Sequence, residues 1–127
     1  MRPEASAFLA KAREFLLKAE DMFADGWPDE AGRAAYLAGL HAAQAVIVER
    51  TGRIIKRHRG VQNELRRVVK DEPRFDFELT AFLARAYNLK AIADYETGPD
   101  AHVLAEFARG TIETARRYVE VAAALLT

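Results

Sequence analysis

The chain contains no cysteine, which excludes disulfides, thiolate metal centres and a cysteine nucleophile and fits a reducing compartment. It has no long apolar run either. The longest tract, "VAAALL" near the C-terminus, falls far short of the roughly 20 residues that span a bilayer. The opening residues "MRPEASAFLAKARE" are interrupted by charge too often for a secretory leader, so the expectation is a soluble, cytoplasmic protein. Net charge is missing as well: 19 basic and 19 acidic side chains cancel, and nothing global points to DNA, a membrane or an acidic substrate. The glycine-rich patterns GxGxxG, GxxxxGK[ST] and GxSxG do not occur, which removes the familiar nucleotide-loop and hydrolase signatures. His41, His58 and His102 are far apart in sequence and show no HExxH or paired spacing, so no metal and no other cofactor is expected.

What is present is helical periodicity nearly everywhere. A chain of 127 residues is one domain, residues 1–127, able to bury a core without staples. Phe8, Ala12, Phe15, Leu16, Ala19 and Phe23 share one face of a first helix, which Gly26 stops. Pro28 suits the first turn of a second helix running from about Asp29 to Thr51, striped by Tyr36, Leu40, Ala43 and Ile47 and capped by Gly52. His41 falls between apolar residues of this helix and reads as a packed, hydrogen-bonded histidine. A linker, "RIIKRHRG", precedes a short third helix that Gly60 opens and Pro73 ends. Asp76 is a plausible N-cap for a fourth helix to about Tyr95. Thr97 and Asp100 have capping-box spacing ahead of a fifth, striped by Leu104, Phe107, Thr111, Ala115, Tyr118, Ala122 and Leu125. Helices with short connections predict an all-α, antiparallel up-and-down bundle of four long helices and one shorter. Of the paired acids, Asp29-Glu30 is accounted for by the helix dipole and Glu20-Asp21 by solvation.

Charge is distributed unevenly. Residues 1–49 carry 5 basic and 8 acidic side chains, residues 50–70 carry 8 and 1, and residues 71–127 carry 6 and 10. In the middle segment Arg50, Arg53, Lys56, Arg57 and Arg59 surround His58, and Arg66, Arg67 and Lys70 follow on the polar side of the third helix. Helix N-terminal amides with arginines form a ready phosphate site. The competing reading is that these side chains simply solvate a short helix and pair with the acidic flanks. Aromatics that could stack on bases are absent from 50–70, which counts against single-strand base reading there.

The run "AAYLAGLHAAQAVIVERTG", then "KRHRGVQNEL" and "LARAYNLKAIADYETG", resembles a prokaryotic HEPN domain over roughly residues 8–125. The resemblance is carried by His58-x-Gly60 and by Ala93-Asp94-Tyr95. It implies a helical bundle, a homodimer, and a module that binds RNA or nucleotide, often beside a nucleotidyltransferase partner in toxin–antitoxin-like systems. Many relatives are instead metal-independent endoribonucleases using an Arg-x(4 to 6)-His motif on a late helix. At the corresponding place this chain has Lys90 for the arginine and Tyr95 for the histidine. Tyrosine, titrating near pH 10 when unperturbed, is a poor base at neutral pH, which favours a binding module over a nuclease. A literal Arg-x4-His occurs at Arg53 and His58, away from that place.

Two readings therefore remain: a non-catalytic RNA- or nucleotide-binding module, or an endoribonuclease using Arg53 and His58 or Lys90 and Tyr95. A histidine phosphotransfer bundle fits less well, because its histidine should stand exposed within a helix. The residues expected to contact phosphate or nucleotide are Arg57, His58, Arg59, Arg66 and Lys90, with Asp94 orienting a basic neighbour.

Overall fold

A computed structural model describes residues 1–98 and 102–127. Five helices account for most of them: α1 (Pro3–Ala24), α2 (Pro28–Thr51), α3 (His58–Val68), α4 (Phe77–Tyr95) and α5 (Ala105–Leu125). Among the described residues there is no strand, and no helix is long and apolar enough to cross a membrane.

Local chemistry sets the boundaries. Proline occupies the first turn of both α1 and α2, where its missing N–H has no helical partner to lose. Between these helices Gly26, at φ 84°, supplies the left-handed residue that turns the chain within three positions. Gly52, at φ 74°, ends α2 in the same way, its N–H donating to the Val48 carbonyl at 2.8 Å. Asp76 caps α4 as its sequence position suggests, its carboxylate accepting from the Leu79 N–H at 3.0 Å.

The second helix is the axis of the bundle and touches each of the other four. From Ala31 to Val48 almost every residue is buried, far more than the single stripe its periodicity suggests. Most of those positions are alanine or glycine, which lets neighbouring helices approach on every side. At Gly39 a Cβ would overlap the Phe82 ring of α4, lying 2.9 Å from Cδ2, so glycine is required by packing and not by backbone conformation.

Three sequence expectations change. On α5 the buried face is Ala108, Ile112, Ala115, Tyr118, Val119 and Ala122, whereas Leu104 and Phe107, assigned to the apolar stripe, are more than half exposed. Periodicity alone cannot say which of two apolar rows faces inward. The fifth helix starts at Ala105 with no side-chain cap, and Asp100 of the expected capping box lies outside the described residues. Its approach is held from α2 instead: Asp29 accepts from the Val103 N–H at 2.6 Å and bonds His102 Nδ1 at 2.9 Å. Asp29 thus does more than answer a helix dipole, and Glu20, expected to be only solvated, pairs with Arg116 at 3.0 Å.

Candidate functional site

The site is built on the connection between α2 and α3. The Thr51 hydroxyl donates back to the Ile47 carbonyl and accepts from the Arg53 N–H at 3.1 Å, which starts the loop at a fixed angle. Gln44, a buried polar side chain of α2 at 6 % exposure, then donates through Nε2 to the Ile55 carbonyl at 2.8 Å. Its Oε1 faces His41 Nδ1 at 2.7 Å, and the His41 ring stacks against Phe8 and Phe15 of α1. Burial holds His41 below its ordinary pKa, as befits a packed, neutral histidine. Ile55 also limits the next turn: a Cβ on Gly60 would stand 2.9 Å from Ile55 Cγ2. With the loop fixed at Ile55, the third helix begins at His58. The sequence suggested that Gly60 opens this helix from a loop; Gly60 is its third residue, and His58 is its first.

That placement carries His58 onto an aromatic cluster. Its ring stacks on Tyr87 of α4 with centroids 4.3 Å apart, and its Nδ1 lies 2.8 Å from the Tyr36 hydroxyl of α2. Tyr36 and Tyr87 meet edge to face at 5.6 Å. Burial first, then Arg59, lowers the His58 pKa, so the imidazole is neutral at neutral pH. Tyr36 is pushed up to about 12, mainly by burial, and keeps its proton throughout the physiological range.

One turn further along α4 from Tyr87 lies Lys90. Its ammonium is 2.9 Å from Asp94 Oδ2 and 3.3 Å from the Tyr95 hydroxyl, above the rings of Tyr87 at 5.9 Å and Tyr95 at 4.8 Å. Asp94 is shared with Arg33 of α2 at 3.1 Å. The hydrogen bond to Asp94 raises the Lys90 pKa further, so Lys90 is a fixed cation and no proton acceptor. Tyr95 itself is 71 % exposed.

The basic segment divides in two. Arg50 pairs with Glu72 at 3.1 Å, and Arg53 and Arg67 both engage Glu64, the one acid within 50–70. Lys56, Arg57, Arg59, Arg66 and Lys70 have no acidic partner among the described residues. Arg57 and Arg59 flank His58 at the start of α3, where the first amides receive no side-chain cap. Arg66 sits in the last turn of α3, roughly 12 Å away along the axis at 1.5 Å per residue, so one phosphate cannot touch both ends. Arg50, Arg53 and Arg67 are thus ion-paired, whereas Arg57 and Arg59 at the head of α3 are exposed without an acidic partner among the described residues.

A family model for the HEPN domain matches residues 5–127. The chain belongs to the HEPN family. Comparison with curated proteins returns no match. In this HEPN domain the two sequence pieces that first suggested the family meet in space: His58 and Gly60 at the head of α3, and Asp94 and Tyr95 at the foot of α4, are bridged by Tyr87 and Lys90. Successive contacts thus link His58 through Tyr87 and Lys90 to Asp94 and Tyr95, with Arg57 and Arg59 the chain neighbours of His58. Arg53 is held by Glu64 and His58 by Tyr36 and Tyr87, so the literal Arg-x4-His pair is engaged by different partners. Sequence reasoning missed Tyr36, Tyr87 and Arg33. The signal for Tyr36 was an aromatic hydroxyl inside an otherwise aliphatic helix stripe, since a buried tyrosine oxygen favours a partner; Tyr87 carried no such signal. Among the described residues no group of His, Asp and Glu is arranged to hold a metal.

Proposed function

We propose that this HEPN domain is a non-catalytic binding module for RNA or a nucleotide, which it engages through phosphate at the head of α3. The observation that carries the reading is the pair of arginines without acidic partners, Arg57 and Arg59, on either side of His58 at an uncapped helix start. Uncapped backbone amides with guanidinium-bearing side chains beside them suit a tetrahedral oxyanion. Lys90 adds a third positive charge behind the His58–Tyr87 stack, though Asp94 neutralises much of its field.

The same arrangement argues against general-base chemistry. Lys90 is held protonated by Asp94, and Tyr95 approaches an ammonium and not a base. A nucleotidyltransferase partner and assembly as a homodimer belong to the same proposal and rest on family membership.

Anisotropy of a labelled single-stranded RNA, titrated with protein in EDTA across a salt series, tests the reading. Expected are binding with a negative salt slope, a slope reduced by roughly 0.7 for each phosphate that Arg57→Ala or Arg59→Ala no longer neutralises, and RNA recovered uncut. No binding at low salt, or an unchanged slope in both variants, would refute it. Cleavage abolished by His58→Ala or Tyr95→Phe would make the domain an endoribonuclease instead.

A further inference from the structure

Tyr36 and His58 constrain each other's protons. Leaving a buried hydroxyl hydrogen without an acceptor costs free energy, and His58 Nδ1, at 2.8 Å, is the one hydrogen-bond partner of the Tyr36 hydroxyl among the described residues. If Nδ1 carried the imidazole proton and donated to the phenol oxygen, the phenol's own hydrogen would be buried with no acceptor. The arrangement that satisfies both groups has Tyr36 O–H donating to a bare Nδ1. The single proton of the neutral ring then resides on Nε2, the nitrogen on the opposite side of the ring, which bonds no described residue.

We propose that Tyr36 is the positioning residue of the site: it fixes neutral His58 as the Nε2–H tautomer, so that His58 meets a ligand as a hydrogen-bond donor and the site selects an acceptor-only anion such as a phosphate ester. The ligand half of this statement rests on the reading proposed above; the tautomer half does not. The surroundings agree. The ring touches Tyr36 from α2 and Tyr87 from α4, Arg57 and Arg59 are its chain neighbours, and Lys90 lies over the Tyr87 ring. None of them is an acid that would draw a proton onto Nδ1, and the one carboxylate of the cluster, Asp94, is taken by Lys90 and Arg33. The stack on Tyr87 fixes the ring plane, leaving tautomer as the remaining freedom, and Tyr36 removes it. A histidine so held supplies no lone pair at Nε2 to abstract a proton from a 2′-hydroxyl, which gives the non-catalytic reading an atomic basis.

The test is a long-range proton–nitrogen correlation spectrum of the imidazoles in nitrogen-15-labelled protein at mildly alkaline pH, with His58 assigned through His58→Gln. The expected spectrum shows Nδ1 as the unprotonated nitrogen and Nε2 as the protonated one. In Tyr36→Phe, which keeps the ring and its packing, the two nitrogens should move toward an average and the His58 pKa should rise, because the donor that favoured the neutral form is gone. Tyr87→Phe, retaining the stack, should leave the tautomer in place. A wild-type Nδ1 that is protonated or averaged overturns the proposal, as does a Tyr36→Phe spectrum identical to wild type. Sulfate, whose charge is constant between about pH 5 and pH 8, then serves as the anion probe. Its affinity should fall about twofold in Tyr36→Phe at the alkaline end, where half the molecules present the wrong nitrogen. That difference should vanish as His58 protonates and both nitrogens become donors. The fixed tautomer with no sulfate shift at Nε2 would overturn the ligand assignment, and the proposed function with it, while leaving the role of Tyr36 standing.

Discussion

Replacing Gln44 by leucine tests how the site is held in place. The side chain makes two hydrogen bonds, to the Ile55 carbonyl at 2.8 Å and to His41 Nδ1 at 2.7 Å. Leucine is close to isosteric and makes neither. Each partner left unpaired costs about 1–3 kcal/mol when buried; Ile55 and His41 are half-buried, which puts each loss near the lower limit. Leucine's extra apolar burial offsets a fraction of that. The net destabilisation should be about 2 kcal/mol, or a fall in Tm of roughly 6–8 °C for a domain of this size. Urea unfolding followed by circular dichroism gives the number, with an unchanged slope showing that two-state behaviour survives. Gln44→Glu separates the two bonds, since its carboxylate still accepts from His41 but cannot donate to Ile55. A loss under about 0.5 kcal/mol in Gln44→Leu would show that the loop is held by other contacts and refute the account of how α3 comes to begin at His58.

Other substitutions probe the rest of the bundle. The Tyr118 hydroxyl is fully buried with no partner among the described residues, so Tyr118→Phe should leave stability unchanged or raise it by about 1 kcal/mol, measured in the same urea assay. Gly39→Ala forces a methyl against the Phe82 ring and should cost about 1–3 kcal/mol through displaced core packing. Asp76 is held below its ordinary carboxylate pKa of 3.8, first by its hydrogen bond from Arg117 and then by that from the Leu79 amide. A depressed acid contributes stability above its unfolded pKa and loses it as pH falls through the folded value. The gap between wild type and Asp76→Asn in thermal melts should therefore be open at pH 7 and close in strong acid; a gap independent of pH would refute this.

The architecture was legible because amphipathic spacing and the punctuation at Gly26, Pro28, Gly52 and Asp76 are local signals, and local signals decide where helices start and stop; α3 is the exception, ending at Val68, five residues before the Pro73 expected to end it. Orientation about a helix axis is not local. Phe107 looked like core because it lies in register with Thr111 and Tyr118, yet the neighbouring row through Ala108 and Ile112 is the one α2 covers. Half of the site was legible for the same reason. His58, Arg59, Lys90 and Asp94 announce themselves by charge or by motif, whereas Tyr36 looks like an ordinary stripe residue and Tyr87 lies off the stripe of its helix until the fold sets both against His58. Charge and spacing alone could not show that Arg53 would be claimed by Glu64, eleven residues on, while Arg57 and Arg59 find no acidic partner among the described residues.

The site draws on positions 33 and 36, 57 to 59, and 87 to 95, on three helices that only the finished bundle brings together. No fragment of the chain carries more than one corner of it, and the unfolded chain carries none. A ligand that needs the assembled site favours the native state and raises its stability by up to RT ln(1 + [L]/Kd), about 2.7 kcal/mol at a hundredfold excess over Kd. Heat resistance becomes a reporter: a panel of nucleotides and short RNAs, ranked by how far each delays melting, can single out the natural ligand from among chemically similar candidates.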